Sequence, residues 1–97
     1  MNSTVTKYTG YCLVCGTPNV EEHHLCYGRG HRRLSTEDNL VIPLCRKHHE
    51  DIHRNGTAGA LSKMLGQLAY ERDKCANGLS VEEARESFRG RYSTSYL

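Results

Sequence analysis

The sequence predicts a small α+β domain, in which two short strands and a helix are stapled by a pair of zinc knuckles and covered by C-terminal helices. Three observations predict it. Cys12-Leu-Val-Cys15 and Cys45-Arg-Lys-His48 are two C-x2-C/H knuckles, the spacing by which two tight turns grip a tetrahedral structural zinc. Between them lie two short runs with strand character. Behind the second knuckle the apolar residues change to helical spacing.

Taken in order, residues 1–10 are rich in Thr and Ser and read as a floppy or edge segment. Gly16-Thr17-Pro18-Asn19 closes the first knuckle as a turn. Val20 to Leu25 alternates weakly and predicts a first strand. Tyr27-Gly-Arg-Gly-His-Arg-Arg33 is a glycine-punctuated basic loop, and Leu40 to Leu44 a second strand. Pro43 lacks an N–H and confines that strand to an edge. A helix is expected from Arg46 to the stop at Asn55-Gly56. Next, Leu61, Met64, Leu65 and Leu68 follow i, i+3, i+4, i+7, which predicts an amphipathic helix over 58–76 with the leucine stripe as core. Gly59 and Gly66 weaken it, and Asn77-Gly78 ends it. Ser80-Val-Glu-Glu83 is a capping box opening a last helix with Val81, Ala84 and Phe88 inward. Tyr92 and Tyr96 would pin an aperiodic tail. The whole is expected to be one domain over 1–97, with a core at 12–56 and a helical extension at 57–97.

At 97 residues, with one Phe and no Trp, the chain can bury only roughly 60–70% of its unfolded surface, so a metal staple is a sensible supplement to the core. The segment Met1-Asn-Ser-Thr-Val-Thr-Lys-Tyr8 is polar and lacks the apolar stretch of a secretory signal. A reducing, cytoplasmic setting is therefore expected, where C-x-x-C spacing reads as metal-binding rather than disulfide. Leu40-Val-Ile-Pro-Leu-Cys45 is far too short to span a membrane. Cys26 and Cys75 read as small buried apolar residues. The net charge of +2 is too small to argue for a nucleic-acid partner by itself. Its distribution says more: Arg29, His31, Arg32 and Arg33 crowd one loop, and Arg85, Arg89 and Arg91 gather near the end.

All six histidines lie between the start of the first knuckle and His53. On a helix, His49 and His53 at i and i+4 project from one face, near enough to share an ion. His48 is about 100° away from His49, so it can turn to the zinc while its neighbour faces the other side. On a strand, His23 and His24 point to opposite faces. One can join His49 and His53 on a metal, and the other can stand as a free imidazole with a pKa suited to a general base. Metal on one oxygen and a base on the nucleophile is what phosphodiester hydrolysis needs.

Cys12-x2-Cys15-Gly16, Glu22-His23-His24-Leu25 and Asn39-Leu-Val-Ile-Pro-Leu-Cys45-x2-His48-His49-x3-His53 together resemble the HNH endonucleases. Their ββα-metal core is in many members framed by a four-ligand zinc, and the short phage-type members are the most similar. The resemblance is specific over 12–53 and looser over 57–97. It implies His24 as general base, with His23, His49 and His53 holding one divalent catalytic metal, such as Ni2+, Mn2+, Zn2+ or Mg2+. It implies a structural Zn2+ on Cys12, Cys15, Cys45 and His48. Asn39 would take the family's asparagine role, although it lies six residues before Cys45 where the common pattern has five and Leu40 stands in its place. The implied partner is DNA, with phage packaging or recombination proteins beside it, in the cytoplasm of a bacterial or phage-infected host. Arg29, Arg32 and Arg33 are then candidate phosphate contacts.

Plainer readings stand beside these. Basic loop residues are ordinarily solvated, and adjacent histidines are common in polar strands. The rival to a nuclease is a non-catalytic zinc module that binds nucleic acid or protein. Such a module has no need for four histidines beyond the zinc ligands, and this surplus favours the enzyme.

Overall fold

Three residues tie the ends of the chain to its middle. Ser3 Oγ donates to the Val41 carbonyl at 2.6 Å, Thr4 N donates to Asn39 O at 2.9 Å, and Tyr92 donates its hydroxyl to Asp38 at 2.7 Å. The structure is a computed structural model describing residues 1–97. It is α+β, running β1 (Glu21–His24), α1 (His31–Glu37), β2 (Val41–Leu44), α2 (Arg46–Arg54), α3 (Gly56–Ala76) and α4 (Val81–Tyr92). The amino-terminal segment is therefore not floppy, since its backbone and hydroxyls brace the outer side of β2. No helix is long and apolar enough to cross a membrane.

β1 and β2 form a two-stranded antiparallel sheet with His23 opposite Ile42 and His24 opposite Val41. Glu-Glu-His-His is a poor strand sequence on its own. It is held extended by Val-Ile-Pro-Leu, of which every residue is buried. Pro43 stands opposite Glu22, and its carbonyl accepts from Leu13 N at 3.1 Å, so the first knuckle rather than a third strand lies against β2.

The basic loop is shorter than expected. Its second half, from His31 on, is helix α1, which begins after Gly30 in a left-handed conformation. α1 turns the chain back for β2, and Ser35 beneath it donates to the Cys26 carbonyl at 2.6 Å while accepting from Cys26 N at 3.1 Å.

α3 has the predicted length but presents the opposite face. Leu61, Leu65 and Leu68 are 59%, 37% and 54% exposed, whereas Ser62, Gln67, Ala69 and Tyr70 are buried. The cause is close approach combined with polar demand. A Cβ on Gly66 would stand 2.7 Å from Cys26 Sγ, and one on Gly59 2.7 Å from the Tyr27 hydroxyl. The two glycines thus let the helix lie directly on the Leu25–Tyr27 segment. On its buried side the helix must satisfy polar groups: Ser62 bonds the Leu25 carbonyl of that segment, and Gln67 accepts from Tyr96 N of the tail and donates to Glu71. Leucines could do neither.

α4 begins at the expected capping box, with Ser80 and Glu83 bonded reciprocally. Ala84 and Phe88 point inward as expected, but Val81 is exposed. Phe88 stacks on Tyr92 at 4.3 Å and meets Tyr70 edge-on at 5.3 Å. These aromatics join Leu25, Leu40, Ile42 and Leu44 in the core. The helix continues to Tyr92, and the short tail beyond is pinned by Tyr96, whose hydroxyl meets His31 Nδ1 at 3.2 Å. Cys26 is buried as expected; Cys75 is exposed on α3.

Candidate functional site

Cys12, Cys15, Cys45 and His48 come together from the first knuckle, the residue after β2 and the first turn of α2. Cys12 N donates to Thr17 O at 2.8 Å and Gly16 N to Cys12 O at 2.8 Å, which close the knuckle. His48 Nδ1 lies 3.6 Å from Cys12 Sγ and 3.2 Å from Cys45 Sγ, and Cys15 Sγ lies 3.8 Å from Cys45 Sγ. Tetrahedral Zn–S and Zn–N bonds put neighbouring ligand atoms about 3.4–3.8 Å apart, so the donor set could hold a metal such as zinc. Two of the three thiols are pulled toward the thiolate; for Cys45 the His48 backbone N–H lowers the pKa, but burial and the neighbouring Cys15 and Cys12 thiols raise it overall. Burial raises the Cys12 thiol, but backbone N–H groups of Cys45, Cys15 and Val14 and the His48 ring outweigh it and bring it down to about 6. The Thr17 hydroxyl lowers Cys15. Cys12 raises His48. A cation displaces the protons that this group otherwise shares.

On the other side of α2, His49 and His53 meet His23 from β1. Their ring centroids stand 5.1 Å (His23–His49), 5.3 Å (His23–His53) and 5.2 Å (His49–His53) apart. One nitrogen from each lies within 4.8 Å of the others. Tetrahedral metal–nitrogen bonds of about 2.1 Å put ligand atoms about 3.4 Å apart, so the gathered rings make a candidate metal site. Two features fit this triad to a cation. His23 is fully buried and its Nδ1 has no hydrogen-bond partner. His49 Nδ1 is 3.0 Å from Glu21 Oε1, and Glu21 also accepts from Arg46 Nε at 3.3 Å, so a carboxylate orients that ring and leaves its Nε2 for an ion. Burial first, then the neighbouring rings of His49, His53 and His24, push the His23 pKa down to about 3. Its ring is neutral.

His24 points to the opposite face of β1, as the strand alternation requires. It lines a cleft of about 420 Å³ together with Glu22, Arg32, His49, Glu50 and His53. Its Nε2 is 2.9 Å from Thr36 Oγ1 and 3.4 Å from Glu22 Oε1. Burial and then Arg32 lower its pKa, against an opposing pull from Glu22.

The arginines separate. Arg32 reaches this cleft, whereas Arg29 and Arg33 line a different hollow beside Arg91, with Arg33 paired to Glu37. Arg85, Arg89 and Arg91 are each engaged by carboxylates. Asn39 is not brought to the histidines. It adopts a left-handed conformation (φ 56°) at the turn into β2 and faces Thr4, Asp38 and Asp73.

Two contributors are not marked by any motif in the sequence. Glu21 was legible in principle, since a residue two before His23 shares its face of a strand. Ser62 carried no signal, being set among the leucines of α3.

Residues 4–70, well over half the chain, match the family described as Protein of unknown function (DUF968), and the chain belongs to that family. Uncharacterized protein YdfU of Escherichia coli (strain K12) is 40% identical over 58 residues, a match covering 54% of this chain and 17% of that protein. The chain therefore spans less than a fifth of that relative's length. No solved structure matches.

Proposed function

We propose that the protein is a metal-dependent endonuclease that hydrolyses DNA phosphodiester bonds, acting in the manner of the HNH enzymes its motifs resemble. The observation that carries this reading is the shared cleft, in which His24 stands beside two members of a histidine triad that is separate from the four zinc-type ligands. A divalent ion on His23, His49 and His53 would supply Lewis acidity at the phosphate and the leaving oxygen.

The chain's own groups account for the remaining chemistry. The Thr36 hydroxyl donates to the Arg32 carbonyl at 3.1 Å. It therefore accepts from His24 Nε2–H, and the lone pair is left on His24 Nδ1. That nitrogen takes a proton from a water molecule, whose oxygen bonds to phosphorus as the P–O3′ bond breaks, leaving a 5′-phosphate and a 3′ oxygen that takes up a proton from solvent. Arg32 neutralises a backbone phosphate at the mouth of the cleft. Arg32→Ala should weaken DNA binding independently of sequence and flatten the log–log salt dependence by slightly under one unit. Arg33→Ala, which removes a residue already paired with Glu37, should change the slope much less. Equal slopes for Arg32→Ala and wild type would return Arg32 to the solvated surface.

Metal choice tests the reading directly. An all-imidazole set suits transition ions, whereas magnesium prefers oxygen ligands. Plasmid nicking should appear with Ni2+, Mn2+, Co2+ or Zn2+ at low concentration, with Mg2+ needed in excess. Strong cleavage in Mg2+ alone would assign the ion to Glu22 or Glu50 instead. Absence of cleavage under every ion would leave a zinc-stabilised binding module.

A further inference from the structure

Ser62 lies on α3, outside the strand–helix unit that supplies the histidines, yet it touches the one fully buried ring of the triad. Its hydroxyl donates to the Leu25 carbonyl at 2.9 Å and stands 2.8 Å from His23 Nε2. A carbonyl can only accept, so the single hydroxyl hydrogen is committed to Leu25. The hydroxyl then faces His23 with its lone pairs, and contact at this distance requires a hydrogen on Nε2. His23 is thereby the Nε2–H tautomer, and its bare nitrogen is Nδ1, the buried atom with no protein partner. Gly59 and Gly66, at i−3 and i+4 from Ser62, are the positions where α3 approaches closely enough for both bonds to form.

We propose that Ser62 is a positioning residue for the second metal site, fixing the tautomer and orientation of His23 so that Nδ1 is presented to a divalent transition ion. The C-terminal helical extension is then part of the metal site and not only a cover for it. This rests on the reading of His23, His49 and His53 as a metal site, and not on the cleavage of DNA. It parallels the role of Glu21 on His49: each of these two rings has one nitrogen held by an oxygen partner and the other left for the ion. Loss of such a partner typically weakens metal affinity 10–100-fold.

The test uses full-length protein with the Cys12/Cys15/Cys45/His48 site loaded with zinc, titrated with Ni2+ and followed by calorimetry. Wild type should bind a second ion, Ser62→Ala should bind it 10–100-fold more weakly, and Ser62→Thr, which keeps the hydroxyl, should recover most of the affinity. Equal affinity in Ser62→Ala and wild type, or no second ion in wild type, overturns the proposal. If Ser62→Ala fails to fold, the wild-type protein still decides. Its histidine 15N spectrum before Ni2+ is added should show His23 protonated at Nε2 and not at Nδ1, with the Nδ1 resonance moving or broadening when Ni2+ is added. A proton on Nδ1, or a mixture of the two tautomers, overturns it. Tight binding of the second ion without DNA cleavage would sink the nuclease reading and leave this one standing.

Discussion

Cys15→Ala is expected to leave the protein unfolded or insoluble, and chelating away a metal held by Cys12, Cys15, Cys45 and His48 should do the same to wild type. Cys15 is exposed, so its truncation opens no cavity in the core. Any large loss must come through the ligand set it belongs to. That set joins the first knuckle to the junction of β2 with α2. Structural zinc sites in small domains supply on the order of 10 kcal/mol or more, against whole-domain stabilities of roughly 5–15 kcal/mol. Cys75→Ala is the control. It is also exposed, belongs to neither cluster, and should change stability by no more than about 0.5 kcal/mol. Circular dichroism with zinc quantified per chain measures both. A Cys15→Ala protein that folds with wild-type stability and no zinc would remove the metal from the account of the fold.

The parts of this protein that were legible in its sequence are those whose signal is local. Ligand spacing fixes which cysteines and histidines meet, and the geometry of one helix turn separates His48 from His49. Strand alternation likewise separates His23 from His24, and the Ser80–Glu83 box marks the start of α4. The face of α3 was not legible, because a leucine stripe at helical spacing ordinarily marks the core. Here the requirement that won was non-local. α3 had to come within contact of Leu25 and Cys26 and satisfy a buried carbonyl there, for which glycine and serine are suited and leucine is not. α1 was hidden for a related reason. Its residues, His31 to Glu37, are strongly polar, and it is held by Ser35 bonding to Cys26, by Arg91 of α4 and by Tyr96 of the tail rather than by an apolar stripe.

Asn39 and the arginines illustrate how far a motif carries. A one-residue departure in spacing was the only sequence sign that Asn39 lies elsewhere, and the residue occupies a left-handed turn before β2. Arg29, Arg32 and Arg33 were indistinguishable as a basic run. Once His31 begins a helix, successive residues fan out around it, and only Arg32 faces the histidines.

The proposed nuclease activity turns on His24. Removing a positioned general base typically costs a factor of roughly 10²–10⁴ in rate while leaving metal binding intact. His24 is half-buried on a strand whose partner and core contacts do not depend on its ring, so His24→Ala should keep its fold, its zinc and its DNA affinity. His49→Ala, by contrast, should lose cleavage together with the second ion. The pH profile follows from the same residue. A base must be neutral, and burial followed by Arg32 holds the His24 pKa below the ordinary value of 6.5. A cation on the neighbouring triad moves it in the same direction. The wild-type rate should therefore climb with pH and reach its plateau earlier than an ordinary histidine would allow. The most direct measurement is single-turnover cleavage of plasmid DNA by wild type and His24→Ala, side by side, at saturating Ni2+ or Mn2+. Cleavage by wild type and a rate lower by roughly 10²–10⁴ for the variant are expected; equal rates, or no cleavage by either protein, would contradict the role of His24 as general base.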